Sequence, residues 1–146
     1  MGLFVTHVRL LLLLVIQHNN AKKENINNCV PSCLGDWEEE GGGCYLWPTF
    51  RRTWRQADEH CMKEGGHLGS VTDMKIHNYI QSKVIIGNKN TYFWIGGTDQ
   101  EEEDEWRWTD GSLWNFTMWG KEQPDNWMTE NCLQIYSSGY SKGAFL

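Results

Sequence analysis

The sequence predicts an α+β domain, and three observations carry that expectation. Two amphipathic helical stretches fall in the first half of the chain, short apolar strands separated by turns follow them, and the residues beyond Thr109 are irregular until a last apolar alternation at 133–136. Helices grouped early, scattered short strands and a long loop region do not fit the alternating strand–helix order of a parallel sheet.

In chain order, residues 1–21 read as a targeting segment. Arg9 ends a short leading region, an unbroken apolar run covers 10–16, and polar residues lead to Ala21. The run is far short of the about 20 residues a bilayer core needs, so a cleaved secretory signal is expected rather than a membrane span. Residues 22–32 are polar and Asn-rich and read as a flexible lead, leaving 33–146 as the domain. Cys33 and Cys44 flank the Gly-Asp-Trp and Gly-Gly-Gly segments and can staple a hairpin. Tyr45-Leu46-Trp47 reads as a strand. Thr53-Trp54-Arg55-Gln56 is a capping box that opens a helix with Trp54, Ala57 and Cys61 on one face, and Gly65-Gly66 stops it. A second helix begins at Thr72 or Asp73 and buries Ile76, Tyr79, Ile80 and Val84. Residues 92–97 form an apolar strand, and Trp106-Arg107-Trp108 forms another.

Composition excludes several functions. At 146 residues the chain is one domain at most, and its net charge of −6 with no basic stripe argues against nucleic acid. The acidic runs Glu38-Glu39-Glu40 and Glu101-Glu102-Glu103-Asp104-Glu105 read as solvated faces. No Gly-x-Ser-x-Gly, His-Glu-x-x-His or Cys/His nucleophile arrangement suggests an enzyme. Five cysteines in a secreted chain leave at least one thiol free, in an intermolecular bond or lacking its partner, and Cys29 is the candidate for an intermolecular link.

The chemistry concentrates in residues 119–132. Gln123 and Asp125 place oxygen donors on either side of Pro124, and Glu130 adds a third. Oxygen donors around a rigid turn suit calcium, which takes roughly 6–8 oxygens in irregular geometry. Trp127 offers a flat apolar face beside them. An ion with open positions next to an aromatic plate suits a sugar, whose vicinal hydroxyls coordinate while its C–H face stacks. Asn115-Phe116-Thr117 is a glycosylation sequon.

Several spaced motifs occur in one order: Cys33-x3-Trp37, Gly43-Cys44-Tyr45, Trp54-x2-Ala57-x3-Cys61, Trp94-Ile95-Gly96-Gly97-Thr98-Asp99, Trp106-Arg107-Trp108-Thr109-Asp110-Gly111-Ser112, Trp119-Gly120-x2-Gln123-Pro124-Asp125-Asn126 and Glu130-Asn131-Cys132. In this order the chain resembles the C-type lectin-like domain, nearest to the small secreted galactose-type lectins of fish and venoms. The resemblance implies a double-loop fold of two helices, short antiparallel sheets and a long calcium-binding loop region. It implies that Gln123, Asp125 and Glu130 ligate the principal Ca2+, with Pro124 in a cis peptide, and that Asp99 and Glu103 serve an auxiliary one. It also assigns Gln-Pro-Asp to galactose and Trp127 to stacking on the sugar. Trp54, Trp94, Trp106 and Trp108 are assigned to packing.

Two departures accompany the resemblance. The family's Trp-Asn-Asp ligand segment after the Glu-x-Cys motif has no counterpart beyond Tyr136, and the last strand and two C-terminal cysteines of the family are expected to be missing as well. The expected function is a secreted, calcium-dependent binder of galactose-type glycans on microbial or cell surfaces, weakened by the absent ligands. The alternative is a calcium-independent lectin-like module for a protein, a surface or ice, or an inactive short form.

Overall fold

A computed structural model of the chain describes residues 10–12, 14–16, 33, 35–48, 51–87, 92–126, 130–136 and 144–145. The expectations for the flexible lead, Cys29, Trp127 and the Val84 side chain lie outside the described residues.

Helix α1 (Trp54–Lys63) starts where the capping box places it. The Thr53 hydroxyl accepts from the Gln56 N–H at 3.3 Å, and the Gln56 side chain accepts from the Thr53 N–H at 3.2 Å. Trp54, Ala57 and Cys61 form the buried face. The Trp54 indole donates to the Ile95 carbonyl at 2.8 Å, which ties the helix to the central strand. Gly65, at φ 85°, takes the left-handed conformation that turns the chain out of the helix. Helix α2 (Met74–Gly87) is capped by Asp73, whose carboxylate accepts from the Ile76 N–H at 2.9 Å. Ile76 and Ile80 are buried as expected, Tyr79 is half-buried, and His77 joins the buried face.

Among the described residues, nine short strands make two sheets. They are β1 (Leu10–Leu12), β2 (Leu14–Ile16), β3 (Glu38–Glu40), β4 (Gly43–Leu46), β5 (His67–Leu68), β6 (Tyr92–Thr98), β7 (Arg107–Trp108), β8 (Cys132–Tyr136) and β9 (Ala144–Phe145). One sheet has the order β3-β4-β2-β5; the other runs β1-β6-β8-β9, with β7 also on β6. All pairings are antiparallel except β1 with β6. The apolar run at 10–16, read from sequence as a leader, therefore contributes a strand to each sheet. The two-residue strand β9 lies beside β8 at the end of the second sheet.

Strand β6 is the axis of the core. Phe93 and Ile95 are fully buried, and they pack with Leu133, Ile135, Ile80 and Val71. Gly96 donates to the Gly69 carbonyl and accepts from the Thr109 N–H, both at 2.9 Å, so backbone crowds it from two sides. A Cβ on Gly97 would lie 2.3 Å from the Leu133 side chain. The glycine pair thus lets β8 and the loop bases approach β6 closely. Above this layer Trp106, Trp114 and Trp119 pack ring against ring, with centroids 5.2 Å apart for Trp106–Trp119 and 6.1 Å for Trp106–Trp114. Trp54 and Trp108 are buried, so the packing roles expected of these tryptophans hold.

The Cys33–Cys44 disulfide is formed and closes an eleven-residue separation over the β3–β4 hairpin. Glu38 and Glu39 are exposed and Glu40 is half-buried, in keeping with the solvated face expected of this run, and two of these β3 residues also clip the hairpin to α2. Glu38 accepts from the Tyr79 hydroxyl at 2.9 Å and pairs with Lys83, while Glu40 pairs with Lys75 at 2.9 Å. The bond from Lys83, and then that from Tyr79, hold the Glu38 carboxyl below its usual range. An acidic run on a hairpin facing helix lysines looks the same in sequence as one facing water.

Candidate cation and glycan site

The long loop region between β7 and β8 carries the expected donors. Gln123 and Asp125 flank a Gln123–Pro124 peptide that is cis, as the resemblance implied. The turn is closed by the Gln123 N–H donating to the Gly120 carbonyl at 3.1 Å. Glu122 and Asn126 on either side have positive φ, 66° and 48°, a conformation that costs most side chains energy and marks a tightly constrained loop. Gln123 is half-buried, and Asp125 and Glu130 are exposed. Partial burial first, and then the charge of Asp125, push the Glu130 carboxyl above its ordinary range. A cation bound beside Glu130 would offset both causes.

A second acidic group lies at the end of β6. Ligand atoms of Asp99, Glu103 and Asp104 all fall within 4.8 Å of one another. Asp99 is buried, at 2 % exposure. One of its carboxylate oxygens accepts from the Asp104 N–H at 3.1 Å, and the other, Oδ1, has no partner among the described residues. A buried, orphaned carboxylate oxygen is costly unless something positive meets it, so the donor set fits a hard divalent cation. The Asp99 N–H and the Thr98 hydroxyl both donate to the Asn131 carbonyl, at 3.3 and 2.6 Å. That carbonyl adjoins Glu130 in the chain, which links the two acidic groups through one backbone segment.

Asp99 and Glu103 are thus brought together as expected, and Asp104 joins them although sequence reasoning left it in a solvated run. Its left-handed φ of 67° turns its N–H onto Asp99. Such a conformation is not visible in a string of acids. The described open cleft of about 430 Å3 lies elsewhere, lined by Asp36, Glu38, Trp47, His60 and Glu64, and includes none of the loop donors. Asn115 and Thr117 of the sequon are both exposed on the loop. Cys61 and Cys132 remain thiols, and burial pushes Cys132 up to about 11 and Cys61 higher still.

Comparison with known families decides what this geometry belongs to. The family model described as "Lectin C-type domain" matches residues 50–144, well over half of the chain. The chain belongs to the C-type lectin family. The galactose-specific lectin nattectin of Thalassophryne nattereri is 32% identical over 74% of this chain and 69% of its own length. The type-2 ice-structuring protein of Hemitripterus americanus is 34% identical over 72% of this chain and 61% of its own length. Among solved structures, a calcium-independent type II antifreeze protein superposes with a TM-score of 0.68 at 26% identity, covering 78% of this chain and 82% of that one. The chain spans only 18% to 40% of several longer mammalian C-type lectins that it matches. These lectins are non-enzymatic binding proteins, in keeping with the absence of catalytic motifs in the sequence. No helix among the described residues is long and apolar enough to cross a membrane.

Proposed function

We propose that the chain is an extracellular, calcium-dependent binder of galactose-type glycans, with residues 1–21 directing its export. One observation carries the reading: the constrained turn around the cis Gln123–Pro124 peptide presents the Gln123 and Asp125 side chains on the loop that leads to Glu130. Gln123, Asp125 and Glu130 would hold the principal Ca2+, and Asp99, Glu103 and Asp104 the auxiliary one. When bound, the ion supplies open coordination positions for two vicinal sugar hydroxyls. The residues themselves provide orientation. The Asp125 and Glu130 carboxylates accept hydrogen bonds from sugar hydroxyls, and the Gln123 amide can donate one, so exchanging amide and carboxylate across Pro124 would invert the hydroxyl pair that fits. Trp127 is assigned to the apolar face of the sugar and Asn115 to glycan attachment. Calcium takes roughly 6–8 oxygens, so water and sugar hydroxyls would share the shell with these side chains. A galactose-specific relative at 32% identity supports this choice of sugar.

The second reading is calcium-independent binding of an extended surface such as ice, favoured by the ice-structuring relative and by Leu113, 77% exposed on the same loop region. Retention of the full chain on galactose resin separates the two. Retention in calcium, release by chelator and loss on Glu130→Gln fit the glycan reading. Flow-through of a folded chain that still shapes ice crystals in chelator fits the other.

A further inference from the structure

The run at 10–16 occupies an unusual place for a segment that reads as a disposable leader. Strand β2 is not at an edge. Leu14 lies opposite Leu46 on β4 and Leu68 on β5, and Val15 lies opposite Tyr45 and His67. Strand β1 meanwhile runs parallel to β6, with Leu10, Leu11 and Leu12 opposite Tyr92, Phe93 and Trp94. A single residue, Leu13, separates a strand of one sheet from a strand of the other. The run is apolar at every position, the pattern of a strand buried on both faces rather than on one.

Among the described residues, strands β4 and β5 are joined through β2. Without it, two facing strand edges open, with Tyr45 and Leu68, 3% and 0% exposed, lying along them. Unpaired backbone groups over buried apolar residues are a template for another strand. We propose that the slot between β4 and β5 is a strand acceptor whose occupant is this chain's own residues 14–16. The apolar run 10–16 stays in the folded protein after targeting and stitches the two sheets together. This inference does not rest on the calcium reading.

The test uses the full chain with a protease recognition sequence placed at Asn19–Ala21, cut after folding. The N-terminal fragment is expected to co-elute with the rest in native buffer and to separate in denaturant. Val15→Pro in the uncut chain removes an N–H and puts a ring into a strand paired on both sides, so a fall of about 5–10 °C in Tm is expected. Asn19→Pro, outside the strand, should leave Tm unchanged. The mass of the protein exported from eukaryotic cells is expected to include residues 10–16. A fragment that separates in native buffer from a remainder of unchanged Tm would overturn the proposal. So would an exported product lacking residues 1–21 that melts with the intact chain.

Discussion

Glu130 is the side chain whose chemistry reports most directly on the site. Its folded pKa lies above that of an ordinary carboxyl because of partial burial and the Asp125 charge. A carboxyl raised in this way favours the folded state when protonated. Its contribution to the cation-free protein is therefore fully present below the unfolded pKa and is lost as pH rises through the folded one. A bound cation reverses the sign by compensating the two charges. Glu130→Gln is therefore expected to raise Tm slightly at pH 7 in chelator and to weaken calcium binding at least tenfold. Melting curves with and without calcium read both effects. A variant that binds calcium normally would separate Glu130 from the ion. For the wild type, calcium affinity should fall with acidification at a pH above that of an unperturbed carboxylate, because Glu130 takes up its proton first.

At the scale of the element, strand β6 decides how closely the loops approach the core. Its Gly96-Gly97 pair admits no side chain: a Cβ on Gly97 would meet Leu133 at 2.3 Å, and one on Gly96 would meet the Leu68 carbonyl at 2.5 Å. Gly97→Ala must displace Leu133 or the whole of β8, and overpacking of this kind costs about 1–3 kcal/mol. Gly96→Ala meets backbone and should cost more. Chemical denaturation of both variants, with an unchanged m-value, checks the order. β8 begins two residues after Glu130, so the Gly97 variant should also weaken calcium binding, while a destabilised α1 cap such as Thr53→Ala should lower Tm alone. The helices were legible in sequence because capping boxes and 3.6-residue spacing are local. The strand β3 was not, because Glu38 and Glu40 find Tyr79, Lys83 and Lys75 some forty residues away.

At the scale of the whole molecule, the Asp99, Glu103 and Asp104 group meets the segment that carries Glu130 at the Asn131 carbonyl. Calcium that binds only the folded state adds about 2.7 kcal/mol at a hundredfold excess over Kd. A calcium-dependent rise in Tm is therefore expected for the wild type. Asp99→Asn combined with Glu130→Gln should abolish it, while magnesium, which demands a tighter octahedral shell, should reproduce little of it. No rise in the wild type would remove both cation sites together.

The order of motifs from Cys33 to Cys132 was sufficient for the family, the helix starts and the buried tryptophans, since each rests on residue type and local spacing. Convergence was not legible. Asp104 enters the Asp99 group through a left-handed backbone, the exposed Glu38 carboxylate pairs with Tyr79 and Lys83, and the apolar run 10–16 takes places in two sheets. Those outcomes depend on which distant backbone edge or side chain each residue meets. Contacts across tens of residues are set by packing the whole chain, and no local pattern encodes them.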